Sequence, residues 1–249
     1  MKLVTWNVNG IRAREAEVLL LLEEEAPDVL MLQETKASME QLPPSLYGLG
    51  ALPSYHAIWH GNAGYSGVAI LTKKSALEAP RDAKPPFDFE TRVVEAHAGD
   101  WVFVTMYVPN GGKDYAAKLG FLKALADYPK AFADKKLVIA GDLNIARADI
   151  DLHPKERKPN AIGQRPDERD LFDTFIEGGK LVDVCRKLAP GDDRMFSWWP
   201  YWRQAREKNV GWRIDYVLAN EPLASSAKES RIRRDFGTSD HGPVVVTFG

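Results

Sequence analysis

The stretch Lys136-Leu137-Val138-Ile139-Ala140-Gly141-Asp142-Leu143-Asn144 constrains the fold of this chain more than any other. Four apolar residues in a row, β-branched at Val138 and Ile139, predict a strand buried on both faces. Gly141 then lets the backbone turn or approach a neighbour closely. Asp142 and Asn144 lie two apart at the strand's end and so share one face. A carboxylate beside an amide at the mouth of a buried strand builds a core poorly but holds a water, a metal or a phosphate well. Gly-Asp and Leu-Asn are also ordinary turn chemistry. On this stretch alone the turn is the better reading.

The same grammar occurs elsewhere. Leu3 to Asn7 reads as a short strand ending in the turn Asn7-Val8-Asn9-Gly10. A helix is predicted from about Arg12 to Glu25, with Val18, Leu19, Leu21 and Leu22 as its apolar stripe and Pro27 as its stop. The strand Val29 to Gln33 then ends in Glu34, which completes a βαβ unit. Further strands are predicted at Tyr55–Trp59, Val68–Thr72, Val93–His97 and Trp101–Val108, the last running into Pro109-Asn110-Gly111-Gly112. A helix from about Tyr115 to Tyr128 leads into the Leu137 strand. Each half thus runs strand, Asn-containing turn, helix, and strand ending in a carboxylate. This is a weak internal duplication whose halves pack as layers of one domain.

The last third reads as loops with strands at Trp212–Leu218, Arg231–Arg234 and Val244–Phe248. Ile145 to Arg165 is a long, polar, basic loop, of the kind that carries function or lacks order, and Pro166 opens a helix. No linker interrupts the chain, so residues 1–249 are taken as one domain.

Composition sets limits on partners and compartment. The 249 residues are 45% hydrophobic and 27% charged, enough to bury a sizeable core, and the formal net charge is -2. Any nucleic-acid binding must therefore come from a local patch. The single Cys185 forbids an intrachain disulfide and suits a small buried residue in a reducing compartment. The apolar run Val18 to Leu22 is too short to span a membrane. A cytoplasmic monomer without membrane contact is the expectation, nucleoid-associated if the source is bacterial.

Ten polar residues fall at strand mouths: Asn7, Asn9, Glu34, Tyr107, Asn110, Asp142, Asn144, Asp215, Asp240 and His241. Each alone has a structural explanation, such as a turn former, a solvated strand end or, for Asp215, a charge paired with Arg213. Ten at corresponding places in successive units do not. Hard oxygen donors without clustered Cys or His point to Mg²⁺ or Mn²⁺ rather than zinc.

Seven motifs in order resemble the exonuclease III family of abasic-site endonucleases. They are Trp6 to Ala13, Leu32 to Lys36, Tyr65 to Val68, Tyr107 to Asn110, Gly141 to Asn144, Asn209 to Tyr216, and Ser239 to His241. The resemblance extends over essentially the whole chain. It implies an α/β fold, a four-layered α/β sandwich of two packed mixed β-sheets flanked by helices (DNase I-like). It also implies Mg²⁺-dependent hydrolysis 5′ to an abasic deoxyribose that leaves a 3′-hydroxyl, with 3′→5′ exonuclease and 3′-phosphodiesterase activities, and Mn²⁺ is expected to substitute. By the same resemblance, Glu34 is the principal metal ligand, with Asp240 and Asn9 nearby. Asp142 deprotonates the attacking water and Asn144 fixes it. His241, held by Asp215, stabilises transition-state charge, and Asn7, Tyr107 and Asn110 bind phosphate oxygens or help the leaving group.

Substrate choice rests on other residues. Arg12, Lys36, Arg92, Lys113, Arg147, Arg203, Arg206 and Lys208 lie in or beside mouth-facing loops and suggest phosphate contacts along double-stranded DNA, where solvated surface charge is the plain alternative. Tyr65 belongs to one of the matching motifs and is placed with the substrate-binding residues. Trp198, Trp199, Trp202 and Trp212 crowd one loop-rich segment, as a hydrophobic satellite or a sugar pocket. The resemblance puts Trp198, Trp212 and Ile214 in the pocket for the extrahelical abasic sugar, and makes Lys113 and Trp202 the residues that insert into the duplex. The rivals are a phosphohydrolase of lipid or inositol headgroups, for which no exposed apolar loop speaks, and a nucleic-acid-binding protein with a dead site. Retention of all the catalytic residues opposes the second.

Overall fold

The computed structural model describes residues 1–47 and 53–249. The chain begins with β1 (Lys2–Asn7), α1 (Glu15–Glu25) and β2 (Val29–Gln33), followed by β3 (Tyr55–Asn62), β4 (Tyr65–Lys73), β5 (Arg81–Ala83) and β6 (Val93–Ala98). A second unit of the same form follows: β7 (Trp101–Tyr107), α2 (Tyr115–Leu125) and β8 (Lys136–Asp142). Next come α3 (Pro166–Gly178), β9 (Leu181–Asp183), α4 (Val184–Leu188) and β10 (Asp215–Asn220). The chain closes with α5 (Glu221–Ala224), β11 (Ala227–Ile232) and β12 (Val244–Phe248).

The strands form two six-stranded sheets, ordered β11-β12-β1-β2-β4-β3 and β5-β6-β7-β8-β10-β9. Each sheet has one parallel pair, β1 with β2 and β7 with β8, joined by the helix between them. The remaining pairs are antiparallel.

The continuous apolar strands are explained by cover on both faces. Val138 and Ala140 point into the layer between the sheets, where they meet Leu3, Met31, Ile70 and Phe103. Leu137 and Ile139 point the other way, onto Phe121, Leu125, Phe172 and Phe175 of α2 and α3. On the first sheet, Val4, Trp6, Leu30 and Leu32 pack against Val18 and Leu21 of α1. The order helix, sheet, sheet, helix is the four-layered sandwich expected. Each large apolar side chain so buried stabilises by roughly 1.5–3 kcal/mol.

Gly141 makes the central approach possible. A Cβ there would fall 2.1 Å from the Met106 carbonyl oxygen, and its φ is +147°. Any side chain would push β8 off β7 just before Asp142.

Several boundaries differ from expectation, each for a local reason. The helix expected from Arg12 begins at Glu15, after a 3-10 turn at Ile11–Ala13. The Gly10 and Ile11 amides are committed to the Glu34 and Thr35 carbonyls, at 2.7 and 2.9 Å, instead of to a helix. The second helix stops at Leu125, and Pro129 starts a 3-10 turn, Tyr128–Phe132. The strand expected from Trp212 enters the ladder only at Asp215; Trp212 makes single bridges to Leu152 and Trp198. The basic piece at Arg231–Arg234 belongs to a strand that ends at Ile232, with Arg231 and Arg233 paired to Glu25 and Glu24 beside α1. The long loop 145–165 is pinned from inside by buried Asp151, which takes Arg213 at 2.7 Å and Arg186 at 2.6 Å.

Candidate active site

The two parallel pairs deliver their ends to one place. Asn7 closes β1, Tyr107 closes β7, and Asp142 closes β8 opposite Asp215, the first residue of β10. Glu34 follows β2 directly. Its φ of +51°, with +47° at Asn9, +51° at Lys36 and +52° at Asn144, puts the turns after the strands in the left-handed region. That conformation suits Asn but costs about 1–2 kcal/mol for Glu or Lys.

Asn7 is fully buried and its Nδ2 donates to both Glu34 Oε1 and Asp142 Oδ2, each at 2.9 Å. Asp142 also accepts the Asn144 backbone N–H at 2.9 Å and Asn144 Nδ2 at 3.3 Å. The same Nδ2 reaches the Val108 carbonyl at 2.9 Å, which fixes the amide's orientation. His241 Nδ1 lies 2.8 Å from Asp215 Oδ2, while its Nε2 faces Asp142 Oδ2 at 3.7 Å. The loop carrying His241 is tied to β1 twice: Ser239 Oγ donates to the Asn7 carbonyl at 2.7 Å and Trp6 Nε1 to the His241 carbonyl at 3.0 Å. Asp215 therefore serves His241. Arg213, the alternative partner, is engaged by Asp151 and Asp183.

Burial raises the Asp142 pKa, and the charges of Asp215 and Glu34 add to it against the opposing pull of His241. Burial would lower that of His241, but the carboxylates of Asp215 and Asp142 raise it to about 10. His241 is thus a cation at neutral pH, held among acids. Burial, with Glu34 and Asp142 nearby, keeps the Tyr107 phenol protonated far above its ordinary range. For Asp240 burial opposes ionisation, yet His241, Trp198 and Asn9 hold it below the usual carboxylate range.

The donor chemistry suits a hard cation. Among the described residues, Glu34, Asp142 and His241 place ligand atoms within 4.8 Å of one another, but protonated His241 has no free lone pair, so only the carboxylates offer donors there. Asp240, expected beside Glu34, lies outside that trio and pairs with Asn9, whose Nδ2 donates to Asp240 Oδ1 at 2.9 Å. Lys36 was expected on DNA phosphates. Its ammonium turns inward instead, 2.8 Å from Glu34 Oε2 and 2.5 Å from Asn9 Oδ1. A protein cation thus stands against Glu34 and Asn9.

A cavity of about 340 Å³ opens above these groups. Trp198, Trp212 and Ile214 line it together with Asn110. The two indoles meet edge to face at 5.7 Å, and Trp198 Nε1 donates to Asp240 Oδ2 at 3.0 Å. Ile162 completes the lining, and nothing in its polar, basic surroundings marked it in the sequence. A larger groove of about 900 Å³ lies between α1 and β11, where Arg231 and Arg233 are already paired with Glu25 and Glu24. The chemistry is in the smaller cavity.

The basic residues divide. Arg12, Lys113 and Arg203 are exposed, as is Trp202, at 62%. Arg92 is not available to DNA: it is 1% exposed, donates to Tyr65 Oη at 2.8 Å and Glu90 Oε2 at 2.7 Å, and lies 5.0 Å from the centre of the Tyr107 ring. It supports two site tyrosines, of which Tyr65 is exposed. Arg206 is likewise spent on backbone carbonyls, Arg147 pairs with Asp173, and Lys208 holds the Arg203 carbonyl. Trp199 is a core residue at 1% exposure rather than part of the pocket.

The model of the endonuclease/exonuclease/phosphatase family matches residues 4–241. The DNA repair nuclease APEX1 of Danio rerio is 38% identical, with 99% of this chain and 81% of the relative covered. An exodeoxyribonuclease of Bacillus subtilis is 36% identical, with 99% and 98% covered. The solved structure of an AP endonuclease from Archaeoglobus fulgidus superposes with a TM-score of 0.89 at 30% identity, covering 100% of this chain and 99% of that one.

Proposed function

Because the chain belongs to the endonuclease/exonuclease/phosphatase family, in its exonuclease III-type branch, we propose that it is a DNA repair phosphodiesterase that hydrolyses the backbone 5′ to an abasic site and leaves a 3′-hydroxyl. The same site would serve 3′→5′ exonuclease and 3′-phosphodiesterase reactions. One observation carries the reading: a buried carboxylate, Asp142, is held by two amides beside an Asp-backed histidine, under an apolar pocket.

In-line attack on a phosphodiester needs an activated water, neutralised phosphoryl oxygens and help for the leaving alkoxide. Asp142, its pKa raised by burial, is matched to taking a proton from water near neutral pH. Asn7 and Asn144 hold its oxygens in place through N–H groups. Cationic His241 donates from Nε2 toward a phosphoryl oxygen, and Asp215 fixes the ring by holding Nδ1–H. Tyr107 and Asn110 are neutral donors at the same rim. A bound Mg²⁺, replaceable by Mn²⁺, would add charge neutralisation at the phosphate, with Glu34 as its principal ligand and Asp240 and Asn9 nearby. The walls Trp198, Trp212 and Ile214 would take a deoxyribose and turn away its base, and a nucleotide lacking a base is swung out of the stack at lower cost. Exposed Trp202 and Lys113 are the residues proposed to insert into the duplex, and exposed Arg12 the one proposed to hold a phosphate.

The test is one panel: an abasic duplex, an undamaged duplex with a recessed 3′ end, and an inositol phosphate, each with Mg²⁺ and with EDTA. Cleavage 5′ to the abasic site, dependent on Mg²⁺ and fastest of the three, is expected. Preferred release of phosphate from the inositol substrate would overturn the reading, and binding of DNA without any hydrolysis would point to a dead site.

A further inference from the structure

Tyr201 combines two properties seldom found together. Its side chain is 61% exposed, yet its oxygen is held from several sides. Three donors lie within reach of it: the Asp240 backbone N–H at 3.0 Å, Arg14 Nη2 at 3.2 Å and Asn9 Nδ2 at 3.3 Å. Its own proton has the Thr238 carbonyl and Asp240 Oδ1 within reach, both at 3.4 Å. Since Asn9 also donates to Asp240, the phenol closes a triangle over the two residues assigned beside Glu34 at the cation site. The adjoining side chain, Trp202, is the exposed one placed for DNA.

The segment is anchored on its far side as well. Arg206, stacked 5.1 Å from the Trp199 ring centre, donates to the carbonyls of Arg234, Phe236 and Ser239 at 2.5, 2.9 and 2.5 Å. The Trp199–Arg206 stretch and the loop before Asp240 are therefore one body, tied to Asn9 through Tyr201 Oη at 3.3 Å and Asp240 Oδ1 at 2.9 Å.

We infer that Tyr201 is a positioning residue that couples DNA engagement to cation binding. Its hydroxyl sets the geometry of Asn9 and Asp240, while its exposed ring and neighbouring Trp202 meet the DNA. Fixing the loop with DNA then preorganises the ligand pair, and a cation on that pair fixes the loop, because such coupling is reciprocal. The inference rests on the reading of the site given under Proposed function.

The experiment compares wild type with Tyr201→Phe, which removes one oxygen from an exposed side chain and should leave Tm within about 2 °C. Mn²⁺ is titrated into the DNA-free protein and followed by water-proton relaxation, which gives Kd without any turnover. The Mn²⁺ concentration for half-maximal cleavage of an abasic duplex is measured alongside. Loss of an outer partner of metal ligands weakens binding roughly tenfold or more, so Tyr201→Phe should raise Kd by about tenfold. In wild type the half-maximal concentration should fall below Kd, and in the variant that gap should shrink. Mn²⁺ binding within twofold of wild type in both measurements would overturn the inference. A wild type that cleaves but binds no Mn²⁺ would overturn both it and the cation site. A wild type that binds Mn²⁺ in a Tyr201-dependent way but leaves abasic DNA intact would defeat only the substrate assignment.

Discussion

Asp142 carries both a charge and a shape, and the two can be separated. Asp142→Asn keeps the side chain's shape but turns one acceptor oxygen into an N–H donor, so it gives up at least one of the contacts from Asn7 Nδ2 and the Asn144 N–H and cannot take a proton. Cleavage of abasic duplex should fall by roughly 10²–10⁴, while the dissociation constant of the duplex, measured in EDTA, stays within a few-fold. Cleavage within a few-fold of wild type would remove Asp142 from the role of base. His241 offers a second test, through pH. Its pKa is raised to about 10 by Asp215 and Asp142 against the effect of burial. A raised histidine contributes stability fully below its unfolded pKa, near 6.5, and loses it as pH climbs through the folded value. In Asp215→Asn the alkaline limb of the kcat profile should move down by about one to three pH units, with kcat reduced more than binding. An unmoved limb would show that the charge on His241 is not used. These residues were legible in the sequence because polar groups at the ends of apolar runs stand out. Arg92 and Lys36 turn away from the phosphate contacts expected of them, since a charge in a sequence does not say which way its side chain turns. Arg92 is sandwiched among aromatic rings, and Lys36 folds back onto the acid two residues before it.

Among the elements, those buried on both faces were the ones that could be read. β1, β2, β7, β8 and β12 announce themselves by runs that only a covered strand tolerates. β5, Arg81-Asp82-Ala83, has no such run and exists because β6 offers it a register. β9 is three residues held by β10. The tryptophan cluster was visible as a cluster, but its division into Trp199 in the core, Trp198 and Trp212 on the pocket and Trp202 in solvent depends on bridges from 198 to 212 and 241. The pocket wall is where this matters for selectivity. Gly163 abuts the Trp212 ring, since a Cβ there would lie 2.8 Å from Cζ3, so the indole is wedged rather than loosely placed. Trp212→Ala should lower kcat/KM on abasic duplex by about tenfold or more and lift undamaged duplex relative to it. Equal losses on both substrates would mean that the indole only supports the loop, and that selection comes from deformation of the DNA.

At the scale of the whole molecule, the net charge of -2 gives DNA no general attraction, so the exposed basic loops at the strand mouths must provide it. Beneath those loops lies one contact between the layers: fully buried Gln33, the last residue of β2, donates at 2.9 Å to Thr5 in its own sheet and at 2.9 Å to Thr105 in the other. Gln33→Leu would strand both hydroxyls in an apolar layer, at a cost of roughly 1–3 kcal/mol each, and should lower Tm by several degrees. No change in Tm would mean that the hydroxyls find other partners. The same contact has a mechanical meaning. Apolar faces slide over one another with little directional resistance, whereas an amide gripping a hydroxyl on each side resists translation along either strand. At this point the two sheets are latched by a directional contact, directly beneath the strand ends that carry the site.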